Sequence, residues 1–149
     1  MRIFIDGDAC PVIKNTIKIA KQYSIPVVIV KNHFHVIKDN YAEIISVDFS
    51  KDSADYYIVN HLKKNDIVVS QDYGLAAMVI ARNAYFITAY GKEINDNNLA
   101  SCLNSRYITQ MLKSQNKRPK AKKAKRKSSD NIIFEKMLIN LIVKVKNKS

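Results

Sequence analysis

Cysteine and long apolar runs are scarce in this chain of 149 residues. Its two cysteines, Cys10 and Cys102, stand far apart and in no CxxC, which argues for a reducing compartment. No run approaches the roughly 20 apolar residues that span a bilayer. The N-terminus passes straight from Met1 and Arg2 into IFI, with no apolar signal segment and no small-residue cleavage site. A soluble, cytoplasmic protein is expected. No internal repeat is present, and the only low-complexity segment is a lysine stretch.

Acidic residues are scarce in one region only. Residues 1–112 carry 12 basic and 11 acidic side chains, whereas residues 113–149 carry 13 basic and 2 acidic ones, so the net charge of +12 is a property of the tail. Within KSQNKRPKAKKAKRKSS, like charges four residues apart repel and Pro119 interrupts any helix. The expected organisation is an α/β core over residues 1–112, a basic flexible linker over 113–128, and a C-terminal helix over 129–146 that packs back. An apolar fraction of 47% supports one ordinary core.

Short β-rich runs alternate with longer helical patterns, as in βαβ units with a parallel sheet. The runs are Ile3–Asp6, Val27–Val30, Ile44–Val47, Ile67–Ser70 and Tyr85–Thr88. Their continuous apolar character predicts burial on both faces, with helices on each side. Pro11 suits a first helical turn running to about Tyr23, Asp52 or Ser53 can cap a helix to Lys63, and a third helix follows Asp72 and ends near Arg82. A fourth opens around Asn95–Asn98 and runs through Leu99, Leu103, Ile108 and Met111. In the last helix, with Ser129 or Asp130 as cap, Ile133, Met137 and Leu141 share a face with Phe134, Leu138 and Ile142.

Carboxylates cluster where these runs end: Asp6 and Asp8 in IFIDGD, Asp52 and Asp55 in DSADYYIV, Asp72 in DIVVSQDYG. In an open α/β sheet, ligands bind at the carboxyl ends of the strands near the point where strand order reverses. If the first and fourth strands are neighbours, Asp6, Asp8 and Asp72 meet there and Asp55 can join them. Carboxylates so close repel unless a divalent cation neutralises them, which points to Mg2+ or Mn2+. Structural readings stand beside this one. Asp6 and Asp8 can start the first helix, Asp55 has capping-box spacing from Asp52, and Asp72 can cap the third helix. Asp48 and Asp66 read as turn residues. Cys10, near a helix N-terminus with no histidine nearby in sequence, reads as small-residue packing. His33 and His35 are too few for a zinc site, and Tyr56, Tyr57 and Tyr73 border the proposed site as packing or stacking residues.

The blocks FIDGDACPV, SADYYIV and NDIVVSQDYGLAA closely resemble the signature blocks of the YaiI/YqxD family of bacterial proteins, whose biochemical role is not established. FEKMLINLI resembles that family's final helix. The family looks like a distant relative of PIN and NYN nuclease-like domains. That resemblance implies a three-layer fold, a parallel sheet of about five strands in the order 3-2-1-4-5, and a magnesium site built from Asp6, Asp8, Asp55 and Asp72, with Asp52, Ser70 and Gln71 nearby. Where many family members have alanine, this chain has Gly7, expected to loosen the turn. KRPKAKKAKRKSS replaces the family's usual glycine-punctuated arginine segment.

The function expected is metal-dependent phosphodiester hydrolysis, with RNA as the partner. Asp6, Asp8, Asp55 and Asp72 would be the catalytic and metal-holding residues. Ser70, Gln71, Lys120, Lys122, Lys123 and Arg126 would contact phosphate. One alternative is a non-catalytic module, on RNA or the ribosome, with a structural magnesium site. Another is a phosphatase of the haloacid dehalogenase type, because FIDGD satisfies that superfamily's DxD, although no lysine follows in the required order.

Overall fold

The computed structural model describes residues 1–8, 10–50, 52–104 and 125–148. In chain order the elements are β1 (Ile3–Asp6), α1 (Ile13–Gln22), β2 (Val27–Asn32), β3 (Glu43–Val47), α2 (Ser53–His61), β4 (Ile67–Val69), α3 (Tyr73–Ala81), β5 (Tyr85–Ile87) and β6 (Glu93–Ile94). They are followed by a short helix α4, described over residues 99–104, and by α5 (Ser128–Lys148). No helix among the described residues is long and apolar enough to cross a membrane.

The sheet runs β3-β2-β1-β4-β5-β6. The first five strands are parallel, in the expected order, and β6 adds an antiparallel edge on β5. That sixth strand was not anticipated, since two residues are too few to display a period. It is created by a turn in which Gly91 at φ 84° lets the chain reverse: Gly91 N–H donates to the Thr88 carbonyl and Thr88 N–H to that of Lys92.

The pleat divides the core in two. Ile3, Ile5, Ile29, Ile67, Val69 and Ile87 pack with Ile17 and Ala20 of α1 and with Phe134, Leu138, Leu141, Ile142 and Val145 of α5. Phe4, Val28, Val30, Val68 and Phe86 pack on the other side with Ile58 of α2, with Leu75, Ala76 and Val79 of α3, and with Cys102 of α4. The runs 3–5 of β1, 27–30 of β2 and 67–69 of β4 are therefore apolar at every position because both faces are covered. β3 departs from that expectation. As an edge strand it is only partly buried, and Glu43 and Ser46 face outward.

Helix starts differ in detail from their sequence signals. Pro11 lies in a turn two residues before α1, whose N-cap Val12 has no side-chain cap. α5 opens at Ser128, inside the stretch assigned to the linker, and Asp130 accepts the N–H of Lys127 at 2.8 Å, half of a capping box. In α5 the buried stripe is Phe134, Leu138, Leu141, Ile142 and Val145, while Ile133 and Met137 lie outward. Ile108, Met111 and residues 113–124 of the linker lie outside the described residues.

Candidate functional site

Strand register brings the carboxylates together. Ile5 pairs with Val30's neighbour Ile29 on one side and with Val69 on the other, so Asp6 emerges at the carboxyl edge beside Ser70, at the switch point between β1 and β4. A cavity of about 320 Å³ opens there, lined by Asp6, Asp8, Asp48, Asp55 and Asp72 together with Asn32, Val47, Phe49, Ser50 and Ala54. All four aspartates singled out from sequence reach it. The fifth, Asp48, was set aside as a turn residue, and its signal was its place immediately after β3, at the same edge.

Each carboxylate is held differently. Asp6 Oδ2 accepts the Ser70 hydroxyl at 3.2 Å, and Ser70 Oγ in turn accepts the Asp72 N–H at 3.1 Å. Ser70, buried and committed to these two partners, positions Asp6 and Asp72, so the sequence expectation of a direct phosphate contact does not describe its role here. Asp72 is the N-cap of α3, with Oδ1 accepting from Gly74 N–H at 2.9 Å and Leu75 N–H at 3.4 Å, so its capping reading holds in addition to its place in the cavity. Asp55 sits in the first turn of α2, 8% exposed, and the N-cap Asp52 makes no side-chain cap bond, so the pair forms no capping box. Both Asp8 oxygens accept the Asn32 N–H at 3.2 Å, and one also contacts His35 Nδ1.

Electrostatics mark Asp6 and Asp55 as strained carboxylates. Burial, then the repulsion of Asp8 and Asp72, pushes Asp6 up to about 6 against the pull of the Ser70 hydroxyl. Burial pushes Asp55 up to about 7, with the charge of Asp72, a side-chain hydrogen bond to Asp72, and the charges of Asp6 and Asp52 adding to it. Among the described residues no group of three or more His, Cys, Asp or Glu is gathered tightly enough to hold an ion by itself. The donors are nevertheless all hard carboxylate oxygens, and Mg2+ takes one or two carboxylates and completes its shell with water and phosphate. Asp6, Asp55 and Asp72 offer donors of that chemistry, and a cation beside them would offset the burial and mutual repulsion that raise the pKa of Asp6 and Asp55.

The remaining sequence candidates lie elsewhere. Gln71 is exposed and does not line the cavity. Arg126 donates to Asn131 Oδ1 and to the Ala89 carbonyl, both at 2.9 Å, and lies 5.0 Å over the Tyr90 ring, so its guanidinium is engaged within the protein. Lys120, Lys122 and Lys123 lie outside the described residues. Tyr57 stacks on His61, and neither it nor Tyr56 or Tyr73 lines the cavity. Cys10 is pushed up to about 11, chiefly by burial and further by Asp6, which leaves a neutral thiol at physiological pH. A larger cleft of about 460 Å³ at the opposite, amino edge is lined by Asn65, Asn83, Asp96 and Lys144, the last ion-paired to Glu93 at 2.7 Å.

Gly7, between two of the aspartates, does not loosen the turn, since its backbone is outside the left-handed region. Its lack of a side chain lets β2 approach: a Cβ there would stand 2.8 Å from Ile29 Cγ2 and 3.2 Å from the Val30 carbonyl, which accepts the Gly7 N–H at 2.7 Å. Ile29 is fully buried and cannot yield. Gly7→Ala is therefore expected to cost about 1–3 kcal/mol, as overpacked cores do, read as a lowered melting temperature.

Comparison with known proteins gives a family without an assigned activity. The family model described as "Uncharacterized BCR, YaiI/YqxD family" matches residues 4–144. A UPF0178 protein of Alkaliphilus oremlandii is 44% identical over 142 residues, covering 95% of this chain and 91% of its own. Its counterpart in Natranaerobius thermophilus is 40% identical over 147 residues, covering 99% of each, and one in Clostridium kluyveri is 40% identical over 140 residues, covering 92% and 90%. No solved structure matches the chain. With the model spanning nearly its whole length, the chain belongs to the uncharacterised YaiI/YqxD family.

Proposed function

We infer that this protein is a PIN-like, metal-dependent nuclease acting on RNA, with Mg2+ or Mn2+ as its cofactor. The observation that carries this reading is the convergence of Asp6, Asp8, Asp55 and Asp72 on one cavity at the switch point of a parallel sheet. Asp6 and Asp72 would hold the ion, both steadied by the Ser70 hydroxyl. When bound, the ion would polarise a phosphate oxygen and make a bound water more acidic. Asp55, whose carboxyl keeps its proton up to about 7, would orient that water once the proton is lost. Asp8 serves by fixing the Asn32–His35 loop against the cavity. Lys120, Lys122 and Lys123 would supply sequence-independent phosphate contacts that weaken steeply with salt.

A second reading, a non-catalytic RNA-binding module with a structural magnesium ion, would use the same carboxylates and the same basic tail without cleaving the RNA. A phosphatase of the haloacid dehalogenase type would need a lysine beside Asp6, and none lines the cavity among those residues. The deciding experiment is a calorimetric titration with Mn2+, followed on the same sample by incubation with a pool of single-stranded and hairpin RNA. Binding with metal-dependent cutting supports the nuclease. Binding without cutting selects the module, and no binding overturns the carboxylate site.

A further inference from the structure

Of the five phenylalanines, Phe4, Phe86 and Phe134 are fully buried, whereas Phe34 and Phe49 are 75% and 71% exposed. These two stand against each other, ring centroids 5.2 Å apart at 89°. Phe49 also lines the aspartate cavity. Leaving such side chains in water forgoes the gain of burying them, and paired exposure at the mouth of a cavity marks an interaction surface.

Phe34 is built onto the wall of that cavity. Asn32 Oδ1 accepts the N–H of Phe34 at 2.9 Å and that of His35 at 3.3 Å. Asn32 N–H and His35 Nδ1 are both held by the carboxylate of Asp8. From the same loop His33 Nε2 reaches to 3.7 Å from Asp48, next to Phe49. Beyond Asp48 a second hollow shares Val47 and Asp48 with the first and adds the exposed Tyr56.

We propose that Phe34 and Phe49 form a stacking platform for an unpaired nucleobase, so that this site takes single-stranded rather than duplex nucleic acid. The proposal rests on the reading of the aspartate cavity as a phosphodiester site and names the class of substrate that reaches it. A nucleotide combines a flat π-face, which suits the rings, with an anion that a carboxylate cavity accepts through a cation. The basic tail, with 13 basic and 2 acidic side chains over residues 113–149, draws a polyanion to the chain. An apolar protein partner would cover the carboxylates of Asp8 and Asp48, in the wall beside the rings, and bring no cation to them. In a duplex the base faces are already stacked and cannot meet Phe34 or Phe49.

The test uses the full chain with Ca2+ and a fluorescein-labelled octauridylate, at salt high enough to screen the lysine tail. Phe34→Ala and Phe49→Ala should each weaken binding about tenfold, the ordinary worth of one stacked base, with no change for a blunt duplex of twelve base pairs. An octamer abasic at every position should bind wild type no more tightly than the alanine variants bind the intact octamer. Phe34→Trp should restore affinity and, as the chain has no other tryptophan, report stacking by quenching of its emission. Unchanged octamer binding by both alanine variants, or a changed oligomeric state in its place, overturns the platform. Cleavage with Mn2+ is scored on the same samples. Stacking retained without cleavage leaves the platform standing and unseats the nuclease reading alone.

Discussion

Metal-free protein carrying Asp55→Asn is expected to melt above wild type at pH 8 by about 3 °C or more, the shift that roughly 1 kcal/mol gives a domain of this size. Asp55 is 8% exposed, faces the charges of Asp72, Asp6 and Asp52, and has its pKa pushed up to about 7. Between about pH 4, where the unfolded carboxyl titrates, and about pH 7, the folded protein binds more protons than the unfolded chain. Stability then falls as pH rises through that window. Asp6, pushed up to about 6, adds a contribution of the same sign over a narrower window. Asparagine removes the charge and can still donate a hydrogen bond to the Asp72 carboxylate, so the variant loses most of the slope. Melting curves from pH 5 to pH 8 in the absence of divalent ions check this. Millimolar Mg2+ should raise the wild-type curve most at pH 8 and the variant's least. A variant that melts below wild type at every pH would show that the Asp55 carboxylate is a net structural asset.

The layered fold was legible because its signals are long and redundant. Runs such as IFI and VVIV are apolar at every position, which only a strand covered on both faces requires, and their spacing by helical patterns implies the parallel order. What escaped is short or tertiary. β6 has two residues, too few for a period, and exists because Gly91 can turn the chain back. Asp48 and Asp66 look alike in sequence as strand-flanking acids. Folding sends Asp48 into the cavity wall and buries Asp66 against Arg2. The hydrogen bond from Ser70 to Asp6 has no signal in the sequence, because it depends on the β1–β4 register bringing the hydroxyl to that carboxylate. Phe34 and Phe49 are 15 positions apart in polar loops, and only the contact between those loops makes them a pair. The lysines at 120, 122 and 123 remain a sequence expectation.

Asp6→Asn and Asp66→Ala are expected to separate function from stability in opposite directions. Asp66 is 2% exposed and accepts Arg2 N–H at 2.9 Å, Lys63 N–H at 2.8 Å and the Arg2 guanidinium at 3.2 Å. Truncation leaves two part-buried backbone donors and a part-buried cation without their acceptor, a loss of about 2–3 kcal/mol. Because Asp66 lies before β4, at the amino edge of the sheet, the folded fraction of Asp66→Ala should keep wild-type cleavage per molecule. Asp6 accepts the Ser70 hydroxyl and a backbone hydrogen bond from Asp8, both of which an asparagine carbonyl can also accept, and burial disfavours its charge where it stands. Asp6→Asn should therefore fold with an unchanged or higher melting temperature at pH 8. It should lose Mn2+-dependent cleavage by more than about 100-fold, since even the outer partners of metal ligands are worth about 10–100-fold. The pair is read by melting temperature against single-turnover cleavage of the RNA pool. Cleavage lost in proportion to folded protein in both variants would mean that Asp6 is one more structural carboxylate. Cleavage lost in Asp6→Asn alone, at full stability, would mean that the chemistry runs through the end of β1.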